Sequence, residues 1–277
     1  MNARLHALRL YPVKSCSGIE LAEAILRETG LESDGIGDRE WVVVDPQGRF
    51  LSQRAVPRMA LIQARICGGL LRLTAPQMPL IEIRPVHNGQ PGLVSVWKDQ
   101  VEALDQGEVA GGWLSEFLQV PCRLMRFHPN TRRQSDLSRT QGIAAPYRFA
   151  DAFALLIVSL ASLADLNRRL ASCRAPEVGI ERFRPNLVLD GIDAYQEDYL
   201  REVRIGSVRI RSTGRCTRCS IPGVDPATGR FTTQVPDLLA GYRSTRDGVA
   251  FGINAIATGG LGARLAAGQA VELELDL

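Results

Sequence analysis

Short runs of β-branched and apolar residues, each closed by turn residues, recur along most of this chain and constrain its fold more than any other feature. The run 41–44, the turn 45–48 and the run 49–51 predict one hairpin, in which Pro46 presets φ and Gly48 accepts a positive φ. Further predicted strands cover residues 5–11, 61–66, 70–74, 81–86, 93–97, 122–127, 187–189, 208–211 and 271–275. This spacing is typical of β-barrels and β-sandwiches.

Only two segments have the periodicity of a helix, residues 108–118 and residues 160–170. In the second segment, Leu163, Leu166 and Leu170 recur at helical spacing, and Ser159 precedes the first turn as a candidate cap. The chain is therefore predicted to be predominantly β, of the α+β class.

Between the two predicted helices, residues 128–147 are polar, rich in arginine and without periodicity. Such a stretch is typical of a domain linker or of a mobile loop over a site. We therefore divide the chain into two domains, residues 1–121 and residues 122–277, and find no internal repeat.

The composition excludes several classes of protein. With 277 residues, 45% apolar and 23% charged, the chain can bury one large core or two smaller ones, so disorder is excluded. A net charge of +3 is too small to indicate nucleic acid or an anionic membrane as the main partner. The longest apolar run, residues 152–158, is far below the roughly 20 residues that span a bilayer. We expect a cytoplasmic protein without membrane or nucleic-acid contact.

One Cys-x-x-Cys motif, Cys216 to Cys219, follows a predicted strand and precedes the turn residues 225–229. A structural zinc site usually needs four ligands in two clusters, whereas a lone pair can present one thiolate to a metal cofactor or a substrate. The other four cysteines are too far apart in sequence to form an iron–sulfur ligand set, and we expect all six to be thiols.

Other common sites are disfavoured by what the sequence lacks. It has no Gly-x-Gly-x-x-Gly after a strand and no Gly-x-x-x-x-Gly-Lys-Ser/Thr, so nucleotide phosphates are not held in the usual way. None of the three histidines lies at metal-ligand spacing from another, which disfavours a zinc hydrolase and a Ser-His-Asp site.

Basic residues do occur in turn-rich contexts, at Lys14, which Ser15 follows, at Arg39 and at Arg184. Arginine and lysine bind phosphate through charge-assisted hydrogen bonds. Brought together by the fold, these residues would form a pocket for a compact anionic cofactor; each of them alone is equally compatible with a solvated surface side chain.

Five motifs carry a resemblance to a known family: residues 11–16 (YPVKSC), 38–41 (DREW), 162–167 (SLADLN), 182–186 (RFRPN), and 216–219 (CTRC) with 224–229 (VDPATG). Together and in this order they resemble the MOSC family, and within it the members that have an N-terminal MOSC β-barrel domain, such as the amidoxime reducing components. The resemblance implies a MOSC-type β-barrel with a few helices behind an N-terminal β-barrel domain.

The same resemblance implies the site. Cys219 would bind molybdenum. For the catalytic step, we hypothesise that Arg218 beside it, or a neighbouring backbone group, polarises the leaving oxygen. The resemblance assigns binding of the pterin and its phosphate to Lys14, Ser15, Arg39, Arg184 and Asn186. Thr217 and Arg218 match the residues that flank the metal ligand and contribute to cofactor binding. The implied cofactor is the molybdenum cofactor, and the family is also associated with pyridoxal phosphate binding.

The implied activity is the reduction of N-hydroxylated small molecules by a molybdenum-dependent oxidoreductase. The alternative is a carrier of the cofactor, or a sulfur-transfer protein, without reductase turnover. Two departures from the family pattern are Ala152 and Phe153, where relatives often have hydroxyl residues, and an end at Leu277 without a 2Fe-2S domain. We therefore expect a separate electron-donor protein. We also expect a monomer.

Overall fold

β-Strands dominate the computed structural model, which describes residues 3–276. The α-helices are α1 (Glu108–Leu118), α2 (Leu160–Ser172) and α3 (Gln234–Arg243). Short 3-10 helices cover Pro57–Leu61, Ile180–Arg182, Gln196–Tyr199 and Ile221–Gly223. The predicted α+β class with a predominance of strands is confirmed.

The strands are numbered in chain order. The first eleven are β1 (Arg4–Leu10), β2 (Ile19–Leu21), β3 (Glu23–Arg27), β4 (Gly30–Ser33), β5 (Ile36–Gly37), β6 (Trp41–Val44), β7 (Gln63–Cys67), β8 (Leu70–Thr74), β9 (Ile81–Ile83), β10 (Pro91–Val96) and β11 (Asp99–Asp105). The others are β12 (Arg123–Phe127), β13 (Leu155–Ser159), β14 (Leu187–Asp190), β15 (Leu200–Ile205), β16 (Val208–Thr217), β17 (Ser244–Thr245), β18 (Gly248–Gly259), β19 (Arg264–Ala266) and β20 (Glu272–Leu275).

The largest sheet joins the two ends of the chain. Its strand order is β2-β1-β14-β13-β18-β16-β15-β20, with β17 paired to β18. Three smaller sheets have the orders β10-β11-β12-β6, β19-β3-β4-β5 and β7-β8-β9. Because β12 pairs with β11 and β6, strands on both sides of the division near residue 122 share a sheet. The division itself stays a prediction.

Strand β13 lies in the middle of the largest sheet, parallel to β14 and antiparallel to β18. All five of its residues are buried, so its sequence is a continuous apolar run rather than an alternating one. Its last residue, Ser159, caps α2, as predicted: the backbone N–H of Ser162 donates to Ser159 Oγ at 3.0 Å.

The predicted hairpin is also confirmed. Val44 bridges Phe50, the backbone N–H of Leu51 donates to the Val43 carbonyl at 2.8 Å, and Gly48 has a φ of 76°. A positive φ is readily adopted by glycine, which has no Cβ to clash with the backbone.

Two predicted strands were wrong in part, and one helix was not predicted. The strand predicted at 61–66 starts late, since Pro57 opens a 3-10 helix that ends at Leu61. The strand predicted at 81–86 ends at Ile83, two residues before Pro85, which cannot donate a ladder hydrogen bond. The sequence predicted two helices and missed α3, which is short and has Pro236 in its first turn. Among the described residues no helix is long and apolar enough to cross a membrane.

Candidate functional site

One cavity of about 300 Å³ brings together every residue that the sequence singled out as a candidate site residue. Those residues are Lys14, Ser15, Arg39, Arg184, Asn186, Thr217, Arg218 and Cys219. They come from four distant segments, which meet because β1 pairs with β14 and Arg39 precedes β6. Their grouping is observed, while the individual roles stay predictions.

Cys219 lies in the short connection between β16 and the 3-10 helix Ile221–Gly223. Strand β16 pairs with β18 up to Thr217, and the backbone N–H of Arg218 donates to the Val249 carbonyl at 2.7 Å. Because regular pairing ends there and Pro222 follows, Cys219 is left outside the sheet. Its free thiol is exposed and lines the cavity, so it is open to a ligand.

Arg218 is fixed against the aromatic core. Its Nη2 donates to the Phe183 carbonyl at 2.9 Å, and its Nη1 lies 3.1 Å from Cys216 Sγ. Cys216 is half-buried and packs against the apolar cluster around Phe183 and Phe251. The Nε atom of Arg218 is buried without a hydrogen-bond partner among the described residues, which leaves one donor available for a ligand.

Arg184 is a second guanidinium with an uncommitted donor. It adopts a φ of 58°, its Nη1 donates to the Cys16 carbonyl at 2.5 Å, and its Cζ lies 4.4 Å from the Tyr11 ring centroid. Burial, together with the nearby charge of Arg39, lowers the pKa of Arg184 to about 10. Arg184 is therefore charged at neutral pH. Its Nη2 is buried without a partner among residues 3–276.

Arg39, by contrast, binds three acceptors within the protein. It pairs with Asp38, donates to Asn186 Oδ1 at 3.2 Å and donates to the Arg184 carbonyl at 3.1 Å. The Asn186 amide also accepts from the Leu156 N–H at 3.1 Å and donates to the Arg9 carbonyl at 3.2 Å. Asn186 therefore orients Arg39 and clips neighbouring strands together, and has little hydrogen-bonding capacity left for a ligand.

Lys14 and Asp151 form an ion pair on another wall of the cavity. Lys14 Nζ donates to the Phe149 carbonyl at 2.8 Å and to Asp151 Oδ1 at 2.5 Å. Burial lowers the pKa of Lys14, and the attraction of Asp151 offsets part of that shift. Partial loss of hydration at the cavity wall raises the pKa of Asp151, but the Lys14 ammonium and the Trp97 N–H outweigh it and hold the pKa well below its ordinary value. Asp151 is therefore ionised at neutral pH.

The sequence reasoning missed several residues of the same cavity, among them Phe50, Arg54 and Trp97. Trp97 Nε1 donates to Asp151 Oδ1 at 3.0 Å. Their only sequence signal is Trp97 itself, a bulky residue between β10 and β11 where a tight turn favours Gly, Asn or Asp.

The family departures Ala152 and Phe153 also line the cavity. Phe153 is buried in a small apolar cluster with Ala145 and Ile256. It therefore contributes an apolar wall to the cavity.

A second cavity, of about 500 Å³, is also rich in arginine. Its basic and acidic lining residues are Arg27, Arg126, Arg132, Arg133, Arg148, Glu28, Glu32 and Glu40. No group of three or more His, Cys, Asp or Glu side chains in the described part of the chain is arranged to hold a metal ion. Of these two cavities, only the first is lined by cysteines.

Comparison with protein families matches residues 2–121 to the MOSC N-terminal beta barrel domain and residues 144–272 to the MOSC domain. The chain belongs to the MOSC family. The resemblance inferred from the five motifs is thereby confirmed.

Named relatives of this MOSC protein include an amidoxime-reducing component and a molybdenum cofactor sulfurase. Mitochondrial amidoxime-reducing component 1 of Homo sapiens is 36% identical over 245 residues, which are 85% of this chain and 71% of the human protein. Molybdenum cofactor sulfurase of Danio rerio is 31% identical over 271 residues, 91% of this chain but 32% of the sulfurase. The YuaD protein of Bacillus subtilis superposes with a TM-score of 0.44 at 11% identity, covering 100% of this chain and 98% of that one, too weak a likeness to add to the argument.

Members of the MOSC family bind a molybdenum cofactor, and the cavity residues fit such a group. A thiol exposed at the cavity suits a thiophilic metal. Two buried guanidinium nitrogens without partners, Arg184 Nη2 and Arg218 Nε, suit the anionic parts of its organic scaffold.

Proposed function

We propose that this MOSC protein is a molybdenum-cofactor-dependent oxidoreductase that reduces N-hydroxylated small molecules. The observation that carries the proposal is the meeting, in one cavity, of the exposed Cys219 thiol with guanidiniums that keep unused buried donors. The relationship to the human amidoxime-reducing component supports the substrate class.

In this proposal Cys219 is the protein ligand of the metal. Arg184 would hold the pterin phosphate with the free donor at Nη2, and Lys14 and Ser15 would also line the pterin. Arg39 would act mainly by position, since its donors already bind Asp38, Asn186 and the Arg184 carbonyl.

When bound, the cofactor supplies a two-electron reduction of the N–O bond, in which the oxygen leaves as water after two electrons and two protons are delivered. The chain contributes orientation and charge. Arg218, next to Cys219, would donate a hydrogen bond to the departing oxygen, while Phe153 and Phe183 would exclude water from that side of the cavity. We further propose that the electrons come from a separate protein and that the enzyme acts as a cytoplasmic monomer.

The test is to replace Cys219 by Ala in protein produced in a host that makes the pterin. We expect molybdenum per chain to fall at least tenfold and reduction of benzamidoxime to be abolished. Cys173→Ala is the matched control, because Cys173 is also an exposed free thiol but does not line the cavity. Full activity of the Cys219 variant would refute the metal-ligand role.

A second candidate function is cofactor carriage or sulfur transfer through Cys219, without substrate turnover. The match of 91% of the chain to a molybdenum cofactor sulfurase favours it. The test is whether molybdenum-containing protein oxidises a reduced dye when an N-hydroxylated compound is supplied. If no such compound supports the reaction, the protein is a carrier and not a reductase.

A further inference from the structure

Arg54 is a cation of the cavity to which neither the family motifs nor the proposed function assigns a role. It follows the buried residues Ser52 and Gln53, its side chain is exposed, and it lines the cavity. The guanidinium carbon lies 4.3 Å from the centre of the Trp97 ring. Within residues 3–276 it makes neither a hydrogen bond nor an ion pair, so its donors are available to a ligand.

Trp97 is a rigid platform for that guanidinium. Its indole N–H is bound to Asp151 at 3.0 Å, and Asp151 is in turn bound by the buried Lys14. Phe50 packs against the indole with ring centres 5.1 Å apart. Trp97 also has a φ of 57°, a strained value for a bulky residue, and such strain is concentrated at functional sites.

Among the described cationic residues of the cavity, Arg54 is the one with neither a counter-ion nor a buried unpartnered nitrogen. Five cationic side chains line it, Lys14, Arg39, Arg54, Arg184 and Arg218. Lys14 is neutralised by Asp151 and Arg39 by Asp38. Arg184 and Arg218 keep buried unpartnered nitrogens, which suit a buried anionic cofactor. Arg54 differs from both because it is exposed and belongs to the aromatic wall built by Phe50 and Trp97.

We propose that Arg54, held on the face of Trp97, binds an oxyanion group, carboxylate or phosphate, of the substrate. This inference rests on the proposed function and narrows it to N-hydroxylated substrates that carry a negative group away from the N–O bond. The planar fork of a guanidinium matches both oxyanions. Trp97 and Phe50 offer apolar contact to the part of the substrate that connects the two ends.

The test compares 4-carboxybenzamidoxime with benzamidoxime, which lacks the carboxylate. The dissociation constants of both compounds are measured by calorimetry on molybdenum-loaded protein, for the parent, for Arg54→Gln and for Arg58→Gln. Arg58 is the matched control: it is also exposed and lies 4.7 Å from an aromatic ring, that of Phe117, but it does not line the cavity. Molybdenum per chain and the rates of reduction are measured on the same samples.

We expect Arg54→Gln to weaken binding of the carboxylated compound about tenfold and to change binding of benzamidoxime less than twofold, as loss of one exposed charge-assisted contact implies. Arg58→Gln should change neither. An equal loss for both compounds, no loss for either, or a fall in molybdenum per chain in Arg54→Gln would overturn the inference. If Arg54→Gln selectively weakens binding of the carboxylated compound but the parent protein reduces neither compound, the proposed function fails while the binding role of Arg54 stands.

Discussion

The two cavities of this protein are both rich in arginine, yet they use the arginines differently. In the larger cavity Arg126 Nε donates to Glu40 Oε1 at 2.6 Å, Arg148 Nη1 lies 3.5 Å from Glu40 Oε2, and Arg133 Nη2 donates to Asp99 at 2.7 Å. In the smaller one, Arg184 and Arg218 each keep a buried nitrogen without a partner.

The difference shows that the number of cations does not make an anion site. A guanidinium whose donors already bind carboxylates and carbonyls is part of the scaffold, whereas one with an unused buried donor has an unmet hydrogen-bonding requirement. By this criterion the larger cavity is held together by ion pairs, and the smaller one, which contains Cys219, is prepared for a ligand.

The sharpest test of the scaffold assignment is Glu40→Gln. Glu40 is buried, and without its charge Arg126 and Arg148 lose their shared counter-ion. Breaking a buried pair from one side typically costs about 3–5 kcal/mol, and we expect the free energy of unfolding in urea to fall by that order. Molybdenum per chain of the folded protein should stay at the parental value. A selective loss of molybdenum with unchanged stability would contradict the comparison.

The converse test is Arg184→Gln in the smaller cavity. Loss of a charged donor to an anionic group typically costs about 1.5–3 kcal/mol, so we expect molybdenum per chain to fall about tenfold under limiting cofactor. Arg148→Gln is the control, because Arg148 lines the larger cavity and pairs with Glu40. Equal molybdenum contents in both variants would remove Arg184 from the site.

A smaller effect is expected for Asp151→Asn. Because the pKa of Asp151 is depressed in the folded protein, its ion pair contributes stability above the ordinary aspartate pKa of about 3.9 and loses it as the pH falls through the folded value. The side chain is 64% exposed, so screening limits the contribution to about 1 kcal/mol or less. The variant should be less stable than the parent at pH 7, with a gap that closes below about pH 4. If the difference in stability between the parent and the variant instead widens in acid, the prediction is wrong.

Much of the fold could be predicted where a local pattern is strong. Helix α1 has its predicted bounds, and Ser159 caps α2 as its sequence indicates. The twelve-residue strand β18 was missed because Gly252 interrupts it and bulges shift its register with β16. The alternation that identifies a strand is lost at such shifts.

The site could be predicted only through motifs that occur together. Lys14, Arg184 and Cys219 belong to segments with a recognisable order, and the structure places all of them at one cavity. Arg54 and Trp97 have no such motif, and their contact depends on how β10 pairs with residues 48–50. That is a long-range packing result, which local sequence does not encode.

Strand β1 pairs with β14, and the Asn186 amide is hydrogen-bonded to Arg9 and Leu156. These long-range contacts have a consequence for biosynthesis. Lys14 leaves the ribosome about two hundred residues before Cys219, and the walls of the cavity do not exist until both have emerged and the strands have closed. Any ligand that needs both residues can therefore be captured only after translation.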